Sequence, residues 1–232
     1  MSTEQIDAAV RPRDDYHFAL TAALFLENTH NRHGGIVWPL GALQAAADAA
    51  RAHGIRVHLD GARIFNAAVA LGIDVADIAA PADTVTFCIS KGLACPAGSL
   101  FCGTRESVDQ ARRWRKRLGG GMRQTGVLAA AGLVALDTMV DRLAEDHANA
   151  RTLAEGLAEM PGISCDLTRV QTNLVYFDVT RLSGAQFQDE CTHRGLLGEA
   201  LDPQRVRFVT HDGITAADIQ SALEICQEVL SA

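Results

Sequence analysis

The sequence contains six cysteines, but no two of them have the C-x-x-C spacing. Structural zinc sites commonly present their cysteines in that spacing, so we expect no zinc centre and no other metal site. Several of the cysteines lie in apolar runs typical of strands, where a thiol behaves as a small hydrophobic group. We therefore predict that the cysteines are reduced and buried.

Long hydrophobic runs and an excess of basic residues are also missing. No apolar run approaches the roughly 20 residues that cross a bilayer, and no charged segment followed by an apolar one opens the chain. The formal charge is −7, and the densest basic patch is confined to residues 111–124. A mildly acidic chain is not typical of nucleic-acid binding. We expect a soluble, cytoplasmic protein with neither nucleic acid nor a membrane as a partner.

The first half of the chain alternates short apolar runs with helical patterns, and 48% of all residues are hydrophobic. This alternation indicates an α/β layer with a mostly parallel sheet covered on both faces, so its strands should be buried. Glycines follow the helical patterns and mark where those helices end. The strands are predicted at 21–27, 55–60, 84–90 and 98–103, and the helices at 42–54 and 62–72.

The pattern changes after this region. A basic helix is predicted over 105–118, and a glycine-rich loop and a long helical stretch broken near 139–141 follow it. Beyond Pro161, three apolar strands ("ISCDL", "NLVYFDV" and "VRFVTH") and two helices predict a small α+β unit. We divide the chain into a large α/β domain, residues 1–138, and a small C-terminal α+β domain, residues 139–232.

Two predicted strands end at residues whose side chains can take part in catalysis. Asp60 closes one strand, and Lys91 follows the next one in "TVTFCISKG". Ligands of open α/β sheets bind beyond the carboxyl ends of the strands. A lysine in such a place can be an ordinary surface residue, but an acid beside it suggests pyridoxal phosphate (PLP) chemistry. There the lysine forms a Schiff base, and the acid pairs with the pyridine nitrogen.

Two arginines are candidates for binding an anion. Arg63 comes three residues after Asp60, at the start of a predicted helix, and Arg207 lies inside the apolar strand "VRFVTH". A guanidinium is a planar fork that matches a carboxylate or a phosphate. Arg63 can equally be a helix-surface residue. Arg207 must either bind an anion or point outward, and we favour a ligand contact.

Several stretches together resemble the low-specificity L-threonine aldolases, which are PLP enzymes of the aspartate aminotransferase fold. They occur in order, at compatible spacing, from about residue 13 to the C-terminus. The stretches are "LENTHNRHGG" (26–35), "HLDGARIFNAAVALG" (58–72), "ISKGLACPAGSLFCG" (89–103), "RRWRKRLGGGMRQTGVLAAAGL" (112–133) and "VRFVTH" (206–211).

The resemblance implies an activity and a cofactor: retro-aldol cleavage of a small β-hydroxy amino acid such as threonine, with PLP. It implies that Lys91 is the Schiff-base lysine and Asp60 the partner of the pyridine nitrogen. Arg63 and Arg207 match the arginines that hold the substrate carboxylate, and we also assign Arg63 to the cofactor site.

The resemblance implies three further site residues and an assembly. His17 matches a histidine near the substrate hydroxyl, although by itself it would be interpreted as a solvated loop residue. Lys116 and Arg123 fall where the family completes the site across a subunit interface, Lys116 towards the substrate and Arg123 towards the cofactor. A homodimer or homotetramer is therefore expected. His30 and Asn31 are either site or turn residues, and we favour a structural role for His30.

The chain departs from the family at its beginning, because we find no counterpart of the family's N-terminal segment with its glycine-threonine turn for the cofactor phosphate. We therefore expect weak PLP binding, little activity and exposed apolar surface that promotes association. The alternatives are another PLP reaction, such as β-elimination or transamination, or an inactive fragment that acts only as a subunit partner.

Overall fold

The computed structural model describes residues 1–231, which fall into two units along the chain. The first unit comprises Met1–Thr29 and Trp38–Asp137, and the second comprises His30–Val37 and the chain from Thr138 onward. The segment His30–Val37 therefore belongs to the second unit although it lies between strands of the first.

The first unit contains one sheet and the helices that flank its strands in the chain. Its strands are β1 (Ala23–Glu27), β2 (Arg56–Asp60), β3 (Thr84–Cys88) and β4 (Ser99–Cys102). Its helices are α1 (Thr3–Ala9), α2 (Leu40–Ala52), α3 (Ile64–Leu71), α4 (Val75–Ala79), α5 (Arg105–Arg117) and α6 (Gly126–Thr138).

The sheet has the order β1-β2-β3-β4. The first three strands run parallel, and β4 is antiparallel to β3. This confirms the prediction of an α/β unit with a mostly parallel sheet. Helix α3 ends at Gly72, whose φ of 64° lies in the left-handed region that glycine adopts at little cost.

Only one face of this sheet is buried. Val57 and Leu59 on β2 are buried, whereas Phe25 on β1 is 70% exposed and Phe101 on β4 is 37% exposed. The prediction that strands 21–27 and 55–60 are fully buried is therefore wrong. The physical reason is that successive side chains of a strand point to opposite faces, and the face that carries Phe25 and Phe101 is solvated, whereas Leu26, next to Phe25 on β1, is buried on the other face.

The six cysteines differ in how exposed they are. All six are free, and Cys95, Cys191 and Cys226 are buried as predicted. Cys102 is exposed, which contradicts the prediction for that residue, because it lies on the edge strand β4.

His58 lies on the open face of the sheet, beside the ring of Phe25 (centroid distance 5.1 Å) and that of Phe101 (6.2 Å). Its Nδ1 is 2.8 Å from Thr84 Oγ1. Burial lowers the pKa of His58, and the negative charge of Asp60 only partly opposes this shift. Burial also lowers the pKa of His147 in the second unit.

These two shifts predict a loss of stability on acidification. Below about pH 6.5 the unfolded chain binds more protons than the folded chain, so the free energy of unfolding falls as the pH falls through that range. We expect urea midpoints to decrease between about pH 7.5 and pH 5.5, with a shallower dependence in His58→Gln and His147→Gln. If the urea midpoint depends on pH as steeply in both variants as in the original chain, neither histidine causes the loss of stability.

The second unit is an antiparallel sheet with three helices. Its strands are β5 (Ile163–Ser164), β6 (Leu174–Val179), β7 (Glu199–Ala200) and β8 (Arg205–Val209), in the order β5-β6-β8-β7. Its helices are α7 (Leu143–Ala158), α8 (Gly184–His193) and α9 (Ala216–Ser231). The predicted small α+β unit is confirmed, and β7 is an additional strand that the pattern did not reveal.

The core of the second unit is apolar and aromatic. Phe177 on β6 packs edge-on against Phe187 on α8, with ring centroids 5.9 Å apart, and both side chains are fully buried. Helix α9 begins with a capping box in which the Thr215 N–H donates to Asp218 (2.8 Å) and the Asp218 N–H donates to Thr215 (3.3 Å). Packing and capping together hold the sheet that carries Arg207.

Candidate functional site

The structure places Asp60 and Lys91 at the same edge of the parallel sheet. Asp60 is the last residue of β2 and is level with Glu27 on β1 and Thr86 on β3. Lys91 follows the end of the parallel strand β3 by three residues. Since the carboxyl ends of parallel strands meet at one edge, the acid and the amine share the edge where α/β ligand sites form.

A tight turn presents the carboxylate of Asp60. The Ala62 N–H donates to Asp60 Oδ1 (3.0 Å), and the Gly61 N–H donates to the Thr86 carbonyl (2.7 Å). A Cβ on Gly61 would lie 3.0 Å from that carbonyl oxygen, so glycine allows the chain to turn this close to β3. Within residues 1–231, Asp60 Oδ2 accepts no hydrogen bond, and this oxygen is available to a ligand.

Lys91 is exposed on a loop whose ends are anchored. Ile89 is buried, its N–H donates to the Gly98 carbonyl (3.1 Å), and its carbonyl accepts from the Cys95 N–H (3.0 Å). The Ala94 N–H donates to the Lys91 carbonyl (2.9 Å), which closes a turn around the lysine. The backbone of this loop is fixed, while the amine is accessible.

Arg63 and His17 occupy different surroundings. Arg63 immediately precedes α3 and is half-buried, two residues beyond the Gly61 turn. His17 lies in the loop before β1, with its side chain 70% exposed. Its described partners are the Asp15 carboxylate, 2.9 Å from Nδ1, and the ring of Tyr16. These contacts do not link His17 to the edge that carries Asp60.

Lys116 and Arg123 lie on the basic helix and on the loop that follows it. Helix α5 has no buried residue. The stem of Lys116 covers Gly121 closely enough that a Cβ there would approach its Cδ to 2.9 Å. Arg123 is exposed. Both cations are therefore presented to solvent in the first unit.

Arg207 lies on β8 in the second unit, in a hydrogen-bond network that the sequence did not reveal. Its Nη1 donates to Asn31 Oδ1 (3.0 Å), and its Nη2 donates to the carboxylate of Glu199. The Tyr176 hydroxyl donates to the Asn31 carbonyl (2.7 Å). Side-chain alternation along the predicted strands could have placed Tyr176 and Arg207 on one face, but Glu199 lies on a strand of only two residues.

Two kinds of feature are not found in the part of the chain that the structure describes. No group of three or more His, Cys, Asp or Glu side chains is arranged to hold a metal ion among residues 1–231. None of the helices in this range combines the length and the apolar composition needed to cross a membrane.

A family model described as beta-eliminating lyase matches residues 1–180. The chain is 38% identical over 234 residues to low-specificity L-threonine aldolase 1 of Arabidopsis thaliana, covering 99% of this chain and 65% of that protein. It is 44% identical over 208 residues to the low specificity L-threonine aldolase of Escherichia coli K12, covering 90% of this chain and 60% of that protein. The chain thus spans 60–65% of the length of these two curated relatives.

A solved structure shows the same fold at lower identity. The Leishmania major threonine aldolase superposes with a TM-score of 0.80 at 18% sequence identity, covering 99% of this chain and 67% of that chain. This similarity confirms the fold class that the resemblance implied.

Proposed function

The chain belongs to the beta-eliminating lyase family, and we propose that it carries out PLP-dependent retro-aldol cleavage of L-threonine and L-allo-threonine to glycine and acetaldehyde. The observation that carries this proposal is the placement of Asp60 and Lys91 at one carboxyl edge of the parallel sheet. The threonine aldolases among its relatives support the substrate class.

The residues at this edge fit PLP. When bound, PLP supplies a ring that accepts the electrons released as a bond to the substrate Cα breaks. The exposed amine of Lys91 is free to form a Schiff base with an aldehyde, and the unoccupied Oδ2 of Asp60 is suited to accept a hydrogen bond from a protonated ring nitrogen. Arg63, at the turn beside Asp60, and Arg123 are the proposed further contacts to the cofactor.

The remaining residues are proposed to act on the substrate. Arg63 and Arg207 hold the substrate carboxylate and so orient the Cα–Cβ bond that breaks, which is catalysis by positioning. His17, directly or through a water molecule, accepts the proton of the β-hydroxyl group. Lys116 completes the substrate site. The half-buried position of Arg63 beside the Gly61 turn and the exposed side chain of His17 support these roles.

The proposed assembly is a homodimer or homotetramer, and the proposed location is the cytoplasm. Helix α5 supports association between copies, because it has no buried residue and leaves Trp114 57% exposed. Leu118, directly after this helix, is 81% exposed. Exposed apolar side chains of this size on a basic surface are typical of interfaces.

β-Elimination is the second candidate, because the family model that matches the chain is described by that reaction. The same lysine and acid can serve it, since both reactions need an electron-accepting cofactor on the amino acid. Transamination and a purely structural role as an inactive subunit partner are the further alternatives.

Product analysis separates threonine cleavage from β-elimination and from the inactive partner. The purified 232-residue chain is incubated with PLP and L-threonine or L-allo-threonine, and glycine, acetaldehyde, 2-oxobutanoate and ammonia are quantified. We expect glycine and acetaldehyde in equal amounts, dependent on PLP. Equal amounts of 2-oxobutanoate and ammonia would instead assign β-elimination. If the chain forms no product but co-purifies with a full-length relative, the proposal is overturned in favour of the inactive partner.

A further inference from the structure

A row of three polar side chains crosses the sheet of the second unit at Arg207. Arg207 on β8 is the Cα partner of Tyr176 on β6 and of Glu199 on β7. Directly paired residues of antiparallel strands project to the same face of the sheet. Tyr176, Arg207 and Glu199 therefore lie side by side, with Asn31 bound to two of them.

The guanidinium of Arg207 is held firmly and is already partly occupied. It carries five N–H bonds. One on Nη1 goes to Asn31, one on Nη2 goes to Glu199, and Nε is buried without a partner. The Arg207 side chain is only 18% exposed, whereas that of Glu199 is 53% exposed. The arginine is thus fixed, and its acidic partner is the more accessible of the two.

We propose that Glu199 is an internal competitor for the carboxylate site on Arg207. The Glu199 carboxylate bonds to Nη2 and compensates the charge of the guanidinium, so an incoming carboxylate competes with it for Nη2 and for that charge. This inference rests on the proposed function, in which Arg207 binds the substrate carboxylate. It assigns to Glu199 a role in setting affinity: it lowers the affinity of Arg207 for carboxylates in general.

The backbone at Glu199 is held in place, so the exchange must occur in the side chain. A Cβ on the neighbouring Gly198 would lie 2.4 Å from Gln188 Oε1 and 2.4 Å from a ring carbon of Phe208, which shows how closely this backbone packs. The Glu199 side chain is 53% exposed, so its carboxylate regains water when it turns out to solvent, and the incoming carboxylate replaces its charge beside Arg207.

The test is a titration of the 232-residue chain with acetate at constant ionic strength. Binding is monitored by ¹⁵N–¹H NMR of the arginine side-chain Nε–H groups. Arg207→Gln identifies the Arg207 signal. Glu199→Gln keeps the size and one acceptor oxygen of the side chain but removes its charge. We expect this variant to bind acetate about two- to five-fold more tightly at Arg207 than the unmodified chain does.

Asp178→Asn is the matched control. Asp178 is the Cα partner of Arg205, two residues before Arg207 on β8, and its carboxylate contacts Arg205 Nε (2.9 Å) and Nη2 (3.0 Å). Its replacement removes the same charge from the same sheet, and the acetate affinity of Arg207 should stay at the unmodified value.

The titration distinguishes a failure of the Glu199 proposal from a failure of the proposed role of Arg207. If the Arg207 signal responds to acetate equally in the unmodified chain, Glu199→Gln and Asp178→Asn, Arg207 remains a carboxylate site and Glu199 is not a competitor. If the Arg207 signal responds in none of them, the role of Arg207 in the proposed function is wrong and the inference falls with it.

Discussion

Replacing Lys91 with alanine is expected to remove all borohydride-fixed PLP from residues 89–103 and to lower threonine cleavage on the order of 10⁴-fold. Only the amine of Lys91 can form the proposed Schiff base at the sheet edge, and its loss removes a group that bonds covalently to the cofactor. The measurement is borohydride reduction with added PLP, followed by peptide mapping and a parallel assay of glycine formation. Reduction makes the bond permanent, so it detects weak binding that a turnover assay misses.

The composition of the chain makes this mapping unusually clear, because Lys91 and Lys116 are the only lysines. Lys116→Ala is the matched control for labelling: Lys116 is exposed on α5, and its loss should leave the label on the Lys91 peptide. Label distributed equally between Lys91, Lys116 and the N-terminal amine would contradict a specific site. So would a Lys91→Ala variant that still cleaves threonine at the original rate.

Replacing Asp60 with asparagine is expected to lower kcat for threonine cleavage by about 10²–10³-fold while labelling of Lys91 persists. Asparagine can still accept the Ala62 N–H at Oδ1, so the turn should be retained. It carries no negative charge, however, and so cannot hold a proton on the pyridine nitrogen. Steady-state kinetics at saturating PLP, combined with the reduction assay, would measure the two effects separately.

Asp74→Asn is the control for a general effect of removing an aspartate. Asp74 caps α4 through the same kind of bond, from the Ala76 N–H to Oδ1 (2.8 Å). Asparagine is an equally good N-cap, so thermal stability and turnover should stay close to the original values. An Asp60→Asn variant with unchanged kcat would show that Asp60 does not pair with the cofactor. A lowered thermal midpoint in that variant alone would locate its effect in the turn.

The elements of the fold that the sequence predicted are those with local causes. The alternation of apolar runs with helical patterns placed β2, β3 and α3 within a few residues, and Gly72 marked the end of α3 because of its left-handed φ. The acid and the lysine could be located at strand ends because each follows an apolar run directly in the chain. Hydrophobic periodicity and turn chemistry act over a few residues, so they can be read without knowing the fold.

The features that only the tertiary structure decided depend on residues far apart in the chain. The exposure of Phe25 follows from its place on the solvated face of the sheet, which the apolar run of β1 does not specify. The bond between Asn31 and Arg207 joins residues separated by 176 positions, and the Glu199 partner lies on a strand of two residues. Apolar periodicity determines which residues are suited to a core, but strand order and register determine which polar side chains meet. The sequence by itself therefore determined the α/β class and the residues suited to the chemistry, whereas folding determined that Arg207 already has a carboxylate partner within the chain.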